Sequence, residues 1–262
     1  MGRWGHGYRE SGLTLTKEDE MKSRWISLVS VVVVLVLGTV LPAAAELPWQ
    51  FPQHTRYMAM GDSLTAGYGA VPQTNGYAYV LYKTGTMDRV PNTLFANSAV
   101  PGVNSREVMN YQVPQAAIFQ PDVVTLTVGG NDLLPILAGA DPDLVLPQYG
   151  GNLFSILMGL CTSAPGVQIY VGNLYSVPLP MDQDEVEAVI GGFNDVVEYV
   201  VYDLFHNMGL GCGVEVADLY GAFQGRKGLL LIERNQADSF EIHPTNAGYK
   251  VIAEAFMDAM AE

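Results

Sequence analysis

Short apolar runs alternate along most of the chain with longer segments in which apolar residues recur at helical spacing. The clearest run is Asp122–Val128, which is rich in β-branched residues and predicts a buried central strand. Four further runs predict strands at Tyr57–Met60, Leu94–Val100, Gln168–Leu174 and Val214–Leu219. Runs that are apolar on both sides of the chain favour strands covered on both faces of a sheet.

Helices are predicted between these strands. The longest is Glu185–Met208, in which apolar residues follow a 3.6-residue period. The others are Tyr77–Met87, Ser105–Ile118 with an interruption near Pro114, Leu153–Leu160, and a last helix that Pro244 is expected to open at its first turn. Strand and helix in alternation predict an α/β domain with a parallel sheet. In such sheets, functional sites form at the carboxyl ends of the strands.

A different pattern precedes the domain. Met21 is followed by Lys22 and Arg24, then by the apolar run Trp25–Leu41, and then by three alanines before Glu46. This order is typical of a secretory signal peptide with a small-residue cleavage site. The run could instead remain as an uncleaved membrane anchor, since its length is near the lower limit for a spanning helix.

The sequence therefore predicts three segments. Residues 1–20 are polar and show no apolar period, which fits an untranslated or disordered extension with Met21 as the true start. Residues 21–45 form the signal peptide, and residues 46–262 form one domain, a length that can bury a sizeable core. We expect a secreted or extracytoplasmic protein with no stable membrane span after cleavage.

The net charge bears on the possible partners of the protein, and the cysteine content bears on a possible disulfide. The formal net charge is −14, which argues against nucleic acid as a partner because that interaction needs a Lys/Arg surface. Two cysteines, Cys161 and Cys212, each precede a predicted strand, so neighbouring strands would bring them together as a disulfide. Two buried free thiols are the alternative.

Three of the predicted strands are followed by residues whose side chain or backbone N–H could take part in catalysis. Ser63 follows the first strand in Gly61-Asp62-Ser63-Leu64, and Gly61 permits a sharp turn there. Gly102 follows the second strand, where a residue without a side chain lets its N–H approach a ligand closely. Asn131 follows the third strand, and its carboxamide can donate to a developing oxyanion. Each feature alone also fits an ordinary turn.

A histidine completes this group. After residue 46 the chain has three histidines, and only His243 stands on a loop between a strand and a helix. His54 precedes the first strand and His206 ends the long helix, so both fit surface or packing roles. The sequence contains no Cys/His cluster, no His-Glu-x-x-His and no phosphate-binding loop, so no metal or cofactor is predicted.

The four blocks together resemble the SGNH hydrolases, also called GDSL lipases or esterases. The resemblance rests on Gly61-Asp62-Ser63-Leu64, Gly102, Gly130-Asn131-Asp132 and His243-Pro244, and spans about Tyr57 to Tyr249. It implies a flavodoxin-like three-layer α/β/α sandwich with a five-stranded parallel sheet. It also implies that Ser63 attacks an ester carbonyl, that His243 is its base, and that Ser63, Gly102 and Asn131 hold the oxyanion.

One position departs from the family pattern. The family places Asp three residues before the histidine, and this chain has Phe240 there. Asp238 or Glu241 could orient the imidazole instead, as could a backbone carbonyl, which would leave a Ser–His dyad. An α/β-hydrolase is disfavoured because its Gly-x-Ser-x-Gly motif does not surround Ser63.

The substrate is less determined. Leu133–Leu137 and Leu229–Ile232 are apolar and either border the site or belong to core helices. Apolar walls would suit a small-molecule or lipid ester. Tyr68, Tyr77 and Tyr79 keep open an alternative, which is a carbohydrate O-deacetylase of the same family that stacks sugars on aromatic rings. A non-catalytic SGNH domain that binds carbohydrate or protein is a further alternative.

Overall fold

Five parallel strands form one sheet, in the order β2-β1-β3-β4-β5. The computed structural model describes residues 55–84, 93–178, 182–226 and 242–261, all within a unit that spans Phe51–Glu262. The strands are β1 (Arg56–Gly61), β2 (Leu94–Asn97), β3 (Val123–Thr127), β4 (Gln168–Gly172) and β5 (Gly213–Ala217). The strand pattern predicted a parallel sheet, and the flavodoxin-like arrangement of five strands is the one that the resemblance to the SGNH hydrolases implied.

The register places apolar side chains of neighbouring strands side by side. Met58 of β1 pairs with Ala96 of β2 on one side and with Val124 of β3 on the other. On β3, Val124 and Leu126 are fully buried, as expected for a central strand covered on both faces. The sheet interior is therefore built from the runs that predicted the strands.

Four strands, β2, β3, β4 and β5, end earlier than predicted. At two of these ends a polar side chain forms a hydrogen bond outside the strand pairing. β2 stops at Asn97, whose side chain donates to the Thr65 carbonyl. β4 stops before Asn173, which donates to the side chain of Asp218 beyond the end of β5. These side-chain bonds fix the beginnings of the loops at the carboxyl edge of the sheet.

The helices cover both faces of the sheet. The elements in chain order are α1 (Ser63–Ala66), α2 (Tyr77–Lys83), α3 (Ser105–Glu107), α4 (Val113–Phe119), α5 (Gly130–Leu137), α6 (Pro142–Ser163), α7 (Gln183–Glu198), α8 (His206–Met208), α9 (Leu219–Phe223) and α10 (Asn246–Ala261). Helices α2, α9 and α10 pack together, and α4, α6 and α7 form the other layer. The result is a three-layer sandwich.

Two predicted helices contain π-helical turns. The interruption expected near Pro114 is a π turn over Val108–Gln112, directly before the turn of α4 that holds the proline. Proline lacks an N–H and its ring cannot follow a preceding regular turn, which accounts for the break. The long helix likewise changes from α7 to a π segment, Tyr199–Phe205, before α8.

The prediction that Pro244 opens the last helix was wrong. Helix α10 begins at Asn246, and the Thr245 hydroxyl accepts the Gly248 N–H at 3.2 Å. Thr245 therefore caps the helix, because its side-chain oxygen satisfies an N–H that has no intrahelical partner. Pro244 lies before the cap.

In the described part of the chain, α6 is the one helix that is long and apolar enough to cross a membrane by length and composition. Its residues Leu153, Ile156, Leu157 and Leu160 are fully buried within the domain. The predicted segment Leu153–Leu160 is the buried half of this helix. The predicted signal segment, 21–45, lies outside the described residues.

Cys161 and Cys212 form a disulfide, with Cα atoms 5.7 Å apart. Cys161 is in the last turn of α6, and Cys212 directly precedes β5. The predicted bridge is confirmed, and the alternative of two free thiols is wrong. Because the bridge joins residues 51 apart, the chain-entropy estimate of its stabilisation is about 4 kcal/mol.

Candidate active site

Ser63 stands at a sharp turn between β1 and α1. Gly61, which ends the strand, has φ +132°, and a Cβ added there would lie 2.0 Å from the Thr127 carbonyl oxygen. Only glycine fits this position. Ser63 is the first residue of α1, where a backbone N–H has no intrahelical partner.

The side chain of Gln112 fixes the backbone of this turn at Gly61. Its side chain accepts the Gly61 N–H at 2.7 Å and donates to the Gly61 carbonyl at 2.8 Å. The side chain is buried at the end of the π turn. Sequence reasoning missed Gln112, because no local pattern marks a glutamine that pairs with a backbone 51 residues away.

Asp62 caps α1 from within the protein. Its carboxyl group accepts the Leu64 N–H at 3.0 Å and lies 3.4 Å from the Thr127 hydroxyl. The side chain is 3% exposed. Burial raises the pKa of Asp62 to about 7, although the hydrogen bond from Leu64 acts in the opposite direction.

His243 reaches the nucleophile position across the carboxyl edge of the sheet. Its Nε2 lies 2.8 Å from Ser63 Oγ. The preceding residue is held by Tyr175, whose hydroxyl donates to the Ile242 carbonyl at 2.7 Å. The following residues enter α10 through the Thr245 cap. The imidazole is therefore positioned by the chain on both sides.

Gly102 lies on the loop after β2 with φ +87°, a conformation that glycine adopts without strain. The Val100 N–H donates to the Gly61 carbonyl at 3.1 Å, so this loop is anchored next to the serine turn. Gly102 itself is exposed, and nothing lies within 4 Å of the position a Cβ would take.

Asn131 lies in the first turn of α5, directly after β3. Its Nδ2 donates to the Val103 carbonyl at 2.8 Å. A carboxamide nitrogen carries two N–H groups, so this bond orients Asn131 and leaves one N–H for a ligand. Because Val103 follows Gly102, the same bond connects the second and third predicted blocks.

Asp132 binds the helix that carries Asn131 to Ser105. Its two carboxylate oxygens accept the Ser105 N–H at 2.9 Å and the Ser105 hydroxyl at 2.5 Å. Burial raises the pKa of Asp132, and the hydrogen bonds from Ser105 oppose that shift. Asp132 therefore acts on the loop that follows Gly102.

The structure thus brings Ser63 and His243 into contact and places Gly102 and Asn131 on adjoining loops. These loops follow β1, β2 and β3, around the point where the strand order reverses. His206 lies elsewhere: its Nε2 contacts the Val214 carbonyl at 2.7 Å, near the start of β5. Phe240, Asp238, Glu241, His54 and Leu229–Ile232 lie outside the described residues.

The three tyrosines considered as sugar platforms separate into different environments. Tyr77 is fully buried, and its hydroxyl contacts Thr65 at 2.7 Å. Tyr79 packs edge-on against Phe95. Tyr68 alone of the three is exposed, and its ring lies against His243. Sequence reasoning noted this tyrosine only as an aromatic residue near the serine and missed that contact.

Metal-binding side chains do not cluster in the ranges 55–84, 93–178, 182–226 and 242–261, where no group of three His, Cys, Asp or Glu residues could hold an ion. The chemistry that this arrangement can perform is nucleophilic. A serine hydroxyl beside an imidazole, with several N–H donors on neighbouring loops, is suited to acyl transfer.

Known proteins with related sequences include a lipase. The spore germination lipase LipC of Bacillus licheniformis is 27% identical over 214 residues, which cover 76% of this chain and 93% of LipC. The uncharacterized protein YpmR of Bacillus subtilis is 24% identical over 222 residues, which cover 79% of this chain and 82% of YpmR.

Solved structures share the fold. TesA superposes with a TM-score of 0.59 at 20% identity, covering 79% of this chain and 98% of TesA. Axe2, an acetylxylan esterase from Geobacillus stearothermophilus, gives a TM-score of 0.60 at 18% identity, covering 81% and 97%. The GDSL-like lipase/acylhydrolase family matches residues 59–251, which include all four predicted blocks. The chain therefore belongs to the GDSL-like lipase/acylhydrolase family, a family of ester hydrolases.

Proposed function

We propose that this protein is a secreted serine ester hydrolase that forms an acyl-enzyme on Ser63. The observation that carries the proposal is the 2.8 Å separation of Ser63 Oγ and His243 Nε2. This is hydrogen-bond distance, as a general base requires of the proton it removes. The two residues are 180 positions apart in the sequence, so the contact is made by the fold.

In the proposed reaction, Ser63 Oγ attacks the ester carbonyl carbon while its proton passes to His243 Nε2. The carbonyl electron pair moves onto oxygen and gives a tetrahedral oxyanion. The N–H groups of Ser63 and Gly102 and the remaining Asn131 Nδ2–H are the proposed donors to this oxygen. Removing one such donor typically costs about 3–4 kcal/mol of transition-state stabilisation.

His243 then gives its proton to the leaving alcohol, and the C–O bond to that alcohol breaks. Water attacks the acyl-enzyme in the second half, again through His243. The group that holds the imidazole tautomer is proposed to be Glu241, Asp238 or a backbone carbonyl. These residues are outside the described part, so their choice rests on the sequence.

For the substrate we propose a small-molecule or lipid carboxylic ester. Leu134, in the turn of α5 after Asn131, is half exposed, and so is Val100 before Gly102. Apolar side chains near both proposed oxyanion loops suit an acyl chain. Leu133 and Ile136 of the same apolar run are buried instead, so only part of this run is available to a substrate.

A carbohydrate O-deacetylase is supported less well. That activity would use exposed aromatic rings as stacking platforms, and two of the three candidate tyrosines are packed within the domain. The similarity to an acetylxylan esterase concerns the fold, at 18% identity. The substrate panel described below includes acetylated xylan and therefore compares the two activities directly.

Export is proposed from the sequence, with residues 21–45 as the signal peptide, 1–20 as an extension outside the mature protein and 46–262 as the hydrolase domain. The Cys161–Cys212 disulfide supports it, because such bonds persist mainly in oxidising compartments. N-terminal sequencing of protein recovered from the culture medium tests this: the mature chain should begin at Glu46. A chain beginning at residue 1 or 21 would contradict cleavage.

The catalytic proposal is tested by comparing Ser63→Ala with Ser155→Ala. Ser155 is an exposed serine on α6, which carries none of the proposed site residues, and it serves as the matched control. Wild type and Ser155→Ala should react with a fluorophosphonate probe and hydrolyse p-nitrophenyl esters. Ser63→Ala should not be labelled and should lose at least about a thousandfold in kcat/KM.

A panel of p-nitrophenyl esters from acetate to palmitate, together with acetylated xylan, then defines the substrate. Comparable labelling of Ser63→Ala, or more than a few per cent of wild-type turnover, would exclude Ser63 as the nucleophile. A wild-type protein that neither reacts with the probe nor cleaves any ester would support the non-catalytic binding domain instead.

A further inference from the structure

The aromatic ring of Tyr68 contacts the proposed base. Its ring centroid lies 4.5 Å from that of the His243 imidazole, and the two planes are inclined by 48°. The side chain is 51% exposed, so part of the ring covers the imidazole and the rest faces solvent. This distance lies within the range at which an aromatic π face attracts a cation.

The backbone of Tyr68 is fixed from both sides of the site. Its N–H donates to the Ser63 carbonyl at 2.9 Å, which joins it to the helix of the nucleophile. Its carbonyl accepts the Tyr249 hydroxyl at 2.6 Å, which joins it to the helix that follows His243. The backbone from which the ring extends is therefore fixed relative to Ser63 and to the helix that follows His243.

A second pair of bonds strengthens this connection. The Asn246 side chain accepts the Val71 N–H at 2.9 Å and donates to the Val71 carbonyl at 2.7 Å. Asn246 is the first residue of α10, three positions after His243. The segment that carries Tyr68 is thus bound to the start of α10 as well as to α1.

We propose that Tyr68 is a positioning residue that acts through His243, and that its ring stabilises the imidazolium formed during catalysis. The inference rests on the proposed function. When Ser63 Oγ bonds to the carbonyl carbon, its proton moves to Nε2 and the imidazole becomes a cation. The ring quadrupole favours the imidazolium over the neutral imidazole, so the interaction is stronger in the transition state than in the ground state.

This role makes a specific kinetic prediction. The imidazolium forms in both acylation and deacylation, whatever the acyl chain. Loss of the aromatic ring should therefore lower kcat and leave KM unchanged, by the same factor for every ester. Removing a cation–π contact at a partly exposed site predicts a decrease of about two- to fivefold.

The protein contains a matched control pair. Tyr202 lies edge-on to His206, with ring centroids 5.2 Å apart, and this histidine contacts the Val214 carbonyl away from the proposed site. Tyr202→Leu makes the same chemical change next to a histidine that takes no part in the proposed reaction. It should leave kcat and KM at wild-type values.

The experiment compares Tyr68→Phe, Tyr68→Leu and Tyr68→Met with wild type and Tyr202→Leu on p-nitrophenyl acetate, butyrate and octanoate. Phenylalanine keeps the ring, and its kcat should match wild type. Leucine and methionine remove the ring but remain apolar, and both should show the two- to fivefold loss. Melting temperatures show whether each variant is folded. If Tyr68→Leu does not fold, the kinetics of Tyr68→Met decide the outcome.

Three results would overturn the inference. Leucine and methionine variants with wild-type kcat would show that the ring contributes nothing. A phenylalanine variant as impaired as leucine would assign the effect to the hydroxyl. A change in KM, or a loss that varies with acyl length, would make Tyr68 a substrate wall. Failure of the proposed function is separate, since wild type itself would then neither react with fluorophosphonate nor cleave the esters.

Discussion

Replacing Asp62 by Asn should make the protein more stable at neutral and alkaline pH. Asp62 is 3% exposed, and its carboxyl group caps the first turn of α1 next to the proposed nucleophile. Burial raises its pKa from 3.8 to about 7, and the nearby Asp132 adds to the shift. An ionised Asp62 is thus held in an environment that favours its protonated form.

The size and direction of the effect follow from this shift. Below pH 3.8 the carboxyl is protonated in the folded and unfolded states, and it adds no pH dependence. Between pH 3.8 and about 7 the unfolded chain releases the proton while the folded protein keeps it, so the free energy of unfolding falls as pH rises. At about 1.4 kcal/mol per pKa unit, the accumulated loss is about 4 kcal/mol by pH 8.

Asparagine removes the charge and keeps the cap, because its Oδ1 can accept the Leu64 N–H as Asp62 does. Urea unfolding of the oxidised protein at pH 4, 5, 6, 7 and 8 measures the effect. The stability of Asp62→Asn relative to wild type should be near zero at pH 4 and rise to about 4 kcal/mol at pH 8.

Asp62→Ala is the matched control for the cap. It should show the same pH dependence relative to wild type, displaced downward by about 1 kcal/mol at every pH because the Leu64 N–H loses its acceptor. A stability difference between Asp62→Asn and wild type that is constant from pH 4 to 8 would refute the reasoning. It would mean that Asp62 ionises equally in the folded and unfolded states.

Three further predictions concern the site and the disulfide. Asn131→Ala should lower kcat about a hundred- to a thousandfold with little change in KM, because the oxyanion exists only in the transition state. Steady-state kinetics measure both constants. An effect on KM alone would contradict the prediction. Replacing Cys161 and Cys212 together by Ser should lower the free energy of unfolding in urea by about 4 kcal/mol, and an unchanged value would show that the bridge does not constrain the unfolded chain. If Glu241 holds the His243 tautomer, Glu241→Gln should lower kcat by orders of magnitude. Asp238→Asn is the parallel control. Full activity of Glu241→Gln across the pH range would remove Glu241 from the mechanism.

Local patterns in the sequence were sufficient to predict the strands and the positions of the four blocks. The run around Val124 predicts a buried strand without reference to any partner, since it is rich in β-branched residues on both faces. Gly61 before Ser63 indicates a tight turn for an equally local reason, because glycine adopts a positive φ, here +132°, without steric cost. Parallel strands then place their carboxyl ends on one edge.

Tertiary packing decided the features that depend on distant parts of the chain. Three such features join residues dozens of positions or more apart. They are the Cys161–Cys212 disulfide, the hydrogen bonds of Gln112 to Gly61, and the contact of Tyr68 with His243. Short-range periodicity and turn chemistry contain no information on such pairs, because many partners are compatible with the same local pattern. The 2.8 Å distance between Ser63 and His243 exists only once the sheet order and the start of α10 are set by packing.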